Sequence, residues 1–402
     1  MVDVTADRGR QGSRYGAALR SPVAARLLAA QSINELGDFI GITALVLLAY
    51  AHTGSVLGAG AVYAANALLK VATASWGATF LDGVPRRFAL AGLALAGAIV
   101  MGSVALFPNF AVALLAAALL GGCRTAFVGV EAALLGEAVS AELRGPVLAL
   151  NGTINQIAQV AGIVGGAAVT LTLGVRTALL IDVVTFVVAA LVLLTLPRTP
   201  QRSATVRPRP LDGVRAVLAQ PTLRTLAPVA WMCMVASLLP ETLAADAVSE
   251  AWVPAAMAAS PLGGSVGYLL AGRTTLLDSV PGIFRAQVTL GAVLVAGALA
   301  GWLAPSGPTF VVVNFCVGVA AVAMLGVRGA FIQHSPPEQA VQINSTMVAS
   351  VGVLEGAGAV LAGGVAAAVS VPVAYLLIGC LVLAMSLSAL RGIQTTGVPQ
   401  PA

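Results

Sequence analysis

Polar positions punctuate this chain more than they alternate with apolar ones. Twelve apolar tracts can be drawn, at 24–50, 56–80, 88–107, 110–137, 147–173, 175–196, 225–247, 252–272, 285–304, 309–334, 341–369 and 372–391. A bilayer core of roughly 30 Å needs about 20 apolar residues in a helix, and the tracts are of that order. Within lipid each backbone N–H and C=O must be satisfied inside its own segment, which predicts helices and not open strands. The breaks at 172–176 and 371–372 are the shortest.

The pattern also repeats. Asp82-Gly83-Val84-Pro85-Arg86-Arg87-Phe88 returns as Asp278-Ser279-Val280-Pro281-Gly282-Ile283-Phe284, 196 positions on. Leu148-Ala149-Leu150-Asn151-Gly152-Thr153 resembles Val341-Gln342-Ile343-Asn344-Ser345-Thr346 at an offset of 193. Two pairs in the same order, offset by nearly half the chain, predict two homologous six-helix halves, the trace of a transporter built from parallel repeats. The expected organisation is a tail at 1–23, a bundle at 24–197, a linker at 198–224, a second bundle at 225–391 and a tail at 392–402.

Composition agrees with the tracts. Hydrophobic residues make up 58% and charged residues 9%, against roughly 25% charged in a soluble domain. The net charge of +5 is an orientation signal and not a nucleic-acid footprint. With both termini on the cytoplasmic side, the arginines at 8, 10, 14, 20, 26, 86, 87, 144, 273, 285 and 391 lie inside, with six more from Arg198 to Arg224. Only Arg176 falls outside, a positive-inside pattern that an odd helix count would spoil. The basic, Pro-rich linker is expected to be extended, its arginines on anionic lipid headgroups. Residues 1–22 do not read as a cleavable signal. Cys123, Cys233, Cys316 and Cys380 fall inside tracts without metal-ligand spacing. His52 and His334 lie far apart, and no phosphate-binding loop ending in Lys-Ser/Thr occurs. No enzyme, cofactor or metal is therefore expected.

Four patches resemble the major facilitator superfamily, closest to bacterial twelve-helix drug and siderophore exporters, over roughly 24–391. The first is Gly77-Ala78-Thr79-Phe80-Leu81-Asp82-Gly83-Val84-Pro85-Arg86-Arg87. It resembles the family's gate motif of glycine, aspartate and a basic pair, with Gly83 where arginine is usual. The second is Arg124 with Gly129, similar to the family's buried helix-4 arginine. The third, Gly162-Ile163-Val164-Gly165-Gly166, is similar to its antiport glycine motif, with Ala161-Gly162 where the family has Gly-Pro. The fourth is Asn34-Glu35-Leu36-Gly37-Asp38, with Thr53-Gly54-Ser55 after it. The resemblance implies two bundles rocking about a cavity lined by helices 1, 4, 7 and 10. The gate residues would be Gly77, Asp82, Arg86 and Arg87. The helix-5 motif would be Gly162, Gly165 and Gly166.

Charges within the tracts need a reason, because one at bilayer depth costs roughly 2.5–3.5 kcal/mol. At about 1.5 Å per residue, Glu35 matches Lys70 in depth and Asp38 matches Arg124. These residues, with Asn34, are either structural ion pairs or a substrate, gating or proton site. Glu241 and Glu355 lie deepest in the second half, near 24 Å by the same rise of about 1.5 Å per residue. A carboxyl in a dry site favours its neutral form and can load and release a proton. Glu241 ranks first for proton binding, with Asp38 and Glu355 after it. Asp182 and Arg176 are expected to pair near the outer surface. The expected function is proton-coupled efflux of a small amphipathic compound by alternating access. The expected chain is a monomeric antiporter in the inner membrane whose partners are substrate, protons and lipid. An uptake symporter or facilitator of the same fold, or a non-transporting membrane sensor or assembly partner, are the alternatives.

Overall fold

The computed structural model describes residues 15–54, 56–74, 81, 84–197, 211–249, 252–336 and 339–396. It is all-helical over these residues. The helices are α1 Pro22–Thr53, α2 Val56–Ala72, α3 Arg86–Leu106, α4 Phe110–Ala138, α5 Ala141–Leu173 and α6 Val175–Leu194. A short α7, Asp212–Ala219, follows. Then come α8 Pro221–Ala247, α9 Val253–Ala271, α10 Val280–Leu303, α11 Gly307–Ala320, α12 Ala323–His334, α13 Ala340–Ala368 and α14 Val371–Thr396. Among the described residues, nine helical spans are long and apolar enough to cross a membrane, α11 and α12 counting together as Gly307–His334. Three shorter apolar helices, Ala61–Ala72, Ala255–Ala271 and Ala340–Leu354, bring the transmembrane elements to twelve.

Local chemistry sets the ends. Ser21 caps α1 by accepting from Ala24 N at 3.5 Å, with Pro22 in the first turn, where its missing N–H leaves nothing unsatisfied. Gly54 ends α1 in the left-handed region at φ 60°, open to glycine without a Cβ penalty. Asn109 starts α4 by accepting from Val112 N at 2.9 Å. The tract at 309–334 is not one unbroken helix. At its middle the Ala321 N–H bonds both Val317 O and Gly318 O, at 3.0 and 3.2 Å, so the turn tightens. The Ala321 carbonyl in turn takes the Cys233 thiol at 3.5 Å.

Two compact units can be described separately. The first comprises residues 1–219 with 331–352. In it α1 packs along α5 and α6, α3 along α6 and α4, and α2 along α4. Asn66 of α2 donates to Ala117 O of α4 at 3.1 Å. The end of α12 and the start of α13 belong here because small residues admit them. A Cβ on Gly129 of α4 would fall on Ser345 Oγ and 2.7 Å from Val341 O. Ser345 Oγ donates to Thr125 O of α4 at 3.2 Å. Gly213 of α7 likewise sits against Gln342 and Thr346.

The second unit comprises residues 220–330 with 353–402. There α10 packs along α14, and α9 along α11. Asn314 of α11 ties the core together: its Nδ2 donates to Ala256 O at 3.0 Å, and its Oδ1 accepts from Tyr375 Oη at 2.8 Å. A buried amide is affordable in lipid only when both ends are satisfied in this way.

Candidate functional site

The first unit gathers charge at one place. Arg124, midway along α4, reaches α1 and holds both of its acids. Its Nη2 donates to Glu35 Oε1 and Oε2 at 2.8 and 2.9 Å, and its Nη1 donates to Asp38 Oδ2 at 2.9 Å. Glu35 also accepts from Asn155 Nδ2 of α5 at 2.8 Å, and Asp38 Oδ2 from Asn34 Nδ2 at 3.0 Å. Helical geometry explains the grouping. Asn34 and Asp38 are four residues apart on one face of α1, and Glu35 is three from Asp38. A planar guanidinium can serve two carboxylates at once, which an ammonium does less well.

The cluster is graded in exposure. The side chain of Glu35 is 4% exposed, that of Asp38 23% and that of Arg124 38%. Glu35 is thus the anchored partner, and Asp38 with Arg124 forms the reachable edge. With both acids ionised the three side chains carry one excess negative charge. A proton, or a cationic group on a ligand, would neutralise it.

The other candidates fall elsewhere. Lys70 does not take Glu35, which is occupied by Arg124 and Asn155. The Lys70 side chain instead runs along Gly352, its Nζ 3.4 Å from where a Cβ there would stand. Matched depth found Asp38 for Arg124 and failed for Lys70, because depth carries no information on helix rotation. The pairing of Asp182 with Arg176 also fails. Arg176 Nε donates to Ala105 O at 2.8 Å, while Asp182 is fully buried and its Oδ1 accepts from Thr185 Oγ1 at 3.3 Å.

Of the gate motif, Gly77 and Asp82 lie outside the described residues. Arg86 is buried and bonds Glu137 through Nη2 at 2.9 Å and Nε at 3.3 Å, and Leu81 O at 3.3 Å. Arg87 lies 4.4 Å over the Phe88 ring. The helix-5 glycines divide: Gly162 and Gly166 touch α1, whereas nothing lies within 4 Å of a Cβ on Gly165. Glu241 and Glu355 are on α8 and α13, and their side chains lie outside the described residues. Among the described residues no group of three or more His, Cys, Asp or Glu could hold a metal ion.

Asn155 was not foreseen. Its signal was present: Asn151, Asn155 and Gln159 recur every four residues in an apolar helix, a polar stripe on one face. The stripe is put to use, since Asn151 Nδ2 donates to the buried Glu131 of α4 at 2.5 Å.

Comparison with known proteins places the architecture. A family model described as Major Facilitator Superfamily matches residues 27–342. No curated protein sequence matches. Among solved structures, the human organic anion transporter MFSD10 (TETRAN) is similar with a TM-score of 0.78 at 16% identity, over 91% of this chain and 98% of that one. The Escherichia coli fucose:proton symporter FucP gives 0.69 at 13%, over 92% and 99%. A bacterial homologue of the iron transporter ferroportin in an outward-facing state gives 0.68 at 14%, over 92% and 98%. At these identities the likeness is one of fold.

Proposed function

Because the chain belongs to the Major Facilitator Superfamily, we propose that it is a secondary active transporter that exports a small amphipathic compound in exchange for protons. The supporting observation is the Arg124–Glu35–Asp38 cluster, half buried, held from three helices and one negative charge in excess. An uncompensated carboxylate at membrane depth costs roughly 2.5–3.5 kcal/mol. The cluster therefore favours a state with a proton on Asp38 or one with a cationic substrate group beside it. Mutually exclusive occupancy by proton and substrate is the requirement for exchange, since each shifts the conformational equilibrium only through its differential affinity. The substrate class that fits is a compound with one cationic end and an apolar body.

In this reading the two repeats, 24–197 and 225–391, alternate access to the substrate, and 198–224 tethers them. Gly77, Asp82, Arg86 and Arg87 work the cytoplasmic gate, and Glu241 and Glu355 are the second-half acids available for coupling. The arginine distribution supports cytoplasmic termini, and the membrane proposed is the plasma membrane. A second reading, uptake with the proton, draws on Ala161, which stands where the antiport motif has glycine. A fucose:proton symporter also shares the fold.

Flux of a cationic amphiphile in vesicles of defined orientation, with and without an imposed pH gradient, tests both. Export driven by inward proton flow supports exchange, and accumulation driven in the same direction as the protons supports uptake. Flux indifferent to the gradient removes proton coupling.

A further inference from the structure

Asp182 lies apart from the cluster and has no role in it. It stands seven residues into α6, about 10 Å from the start of that helix. It is the one aspartate among the described residues that is fully buried. Oδ1 accepts from Thr185 Oγ1, and Oδ2 has no hydrogen-bond partner among the described residues. The carboxyl is held between helices by α1: a Cβ on Gly41 would fall on Oδ2 and on Met101 Cε, and one on Gly37 would stand 2.7 Å from Oδ1. Gly37 and Gly41, four residues apart, form a small-residue notch into which this acid fits.

Among the described residues nothing cationic faces that notch. The helices packed against α6 are α1, α3 and α5. From α1 the titratable groups are Arg26, Glu35, Asp38, Tyr50 and His52, and Arg26 is turned to Thr195 O at the far end of α6. α3 brings only Arg86 and Arg87, and α5 only Glu142 and Arg144, all in the first turns of their helices. On α6 itself Arg176 is spent on Ala105 O. Asp38, next in sequence to Gly37, is itself held by Arg124.

We propose that Asp182 is a proton-binding site, holding a proton in the notch between α1 and α6 and releasing it when water reaches the carboxyl. An ionised carboxylate in the notch would be unpaired, and a bound proton removes that charge. The step is a simple dissociation: the carboxyl O–H bond breaks, the proton passes to water, and a carboxylate remains. Asp38 is adjacent to Gly37, which packs on Asp182, so a cation bound at Asp38 is linked to Asp182 through one residue of α1. The coupling role rests on the exchange reading above; the bound proton does not.

Infrared difference spectroscopy on the reconstituted wild-type protein tests the proton directly. The expected result is a carboxylic-acid C=O band at neutral pH that shifts with isotope-labelled aspartate and disappears in Asp182→Asn. Absence of an aspartic-acid band in labelled wild-type protein overturns the proposal, and needs no variant to fold. Flux then tests the coupling: Asp182→Asn should retain substrate exchange without a gradient and lose most of the pH-gradient stimulation. Full stimulation in that variant overturns the coupling role. Wild-type flux indifferent to the gradient overturns the exchange reading instead, and leaves the infrared band to decide the proton.

Discussion

Replacing each helix-5 glycine by alanine should separate three residues that look alike in the sequence. A Cβ on Gly166 would stand 2.9 Å from Ile40 Cα and 3.1 Å from Ile40 O. A Cβ on Gly162 would fall on Phe39 Cβ, 3.1 Å from Leu36 O. Ordinary carbon contacts are about 3.5–4.0 Å, so α1 must move by several tenths of an ångström in either variant. Overpacking of this kind costs roughly 1–3 kcal/mol, offset by up to about 1 kcal/mol because alanine is the better helix former. Gly165 meets nothing within 4 Å, so Gly165→Ala keeps the gain of about 1 kcal/mol without the cost. The expected spread between Gly165→Ala and Gly166→Ala is therefore about 1–3 kcal/mol. It is read by thermal unfolding of the purified protein in one detergent. Flux should follow, because displacing α1 carries Glu35 and Asp38 away from Arg124. Equal effects at all three positions, or Gly165→Ala as the most damaging, would show that α5 does not approach α1 as described.

Four further outcomes are expected. Arg124→Lys keeps the charge but not the fork; losing one charge-assisted bond at roughly 1.5–3 kcal/mol should cut flux by about 10- to 100-fold, checked at matched protein levels. Arg86→Ala leaves Glu137 without its 2.9 Å partner and should lower stability by about 1.5–3 kcal/mol. Arg87→Ala removes, among the described residues, a contact with Phe88 and should stay within about 1 kcal/mol, both read by thermal unfolding. Gly129→Val should push 341–345 off α4; a cysteine pair placed at 125 and 345 should then crosslink poorly, and crosslinking at the wild-type rate would refute that contact.

The fold was legible because lipid makes composition decisive. Apolar tracts of bilayer length have one way to satisfy their backbone, so existence and type of the helices follow from the sequence alone. The interruption at Ala321 was not legible, since it depends on a thiol from α8 meeting a carbonyl of another helix. At the site, residue types and depths could be read, and Asp38 with Arg124 shared both depth and chemistry. Rotation could not be read, and rotation decides partners. It gave Glu35 to Arg124 where Lys70 was expected, and it turned Asp182 into the glycine notch of α1 and away from Arg176. The polar stripe of Asn151, Asn155 and Gln159 carried rotational information for α5, because a period of four marks one face.

Proton movement coupled to substrate tests the account most directly. Vesicles containing the purified protein and an internal pH indicator are given a cationic amphiphile with no gradient imposed. Exchange through the Arg124–Glu35–Asp38 cluster predicts a pH change inside the vesicle that begins with substrate addition. Its sign should be that of protons moving opposite to substrate, and Asp38→Asn should lack it. Substrate transport at the wild-type rate with no pH change, or with the change intact in Asp38→Asn, would contradict the account.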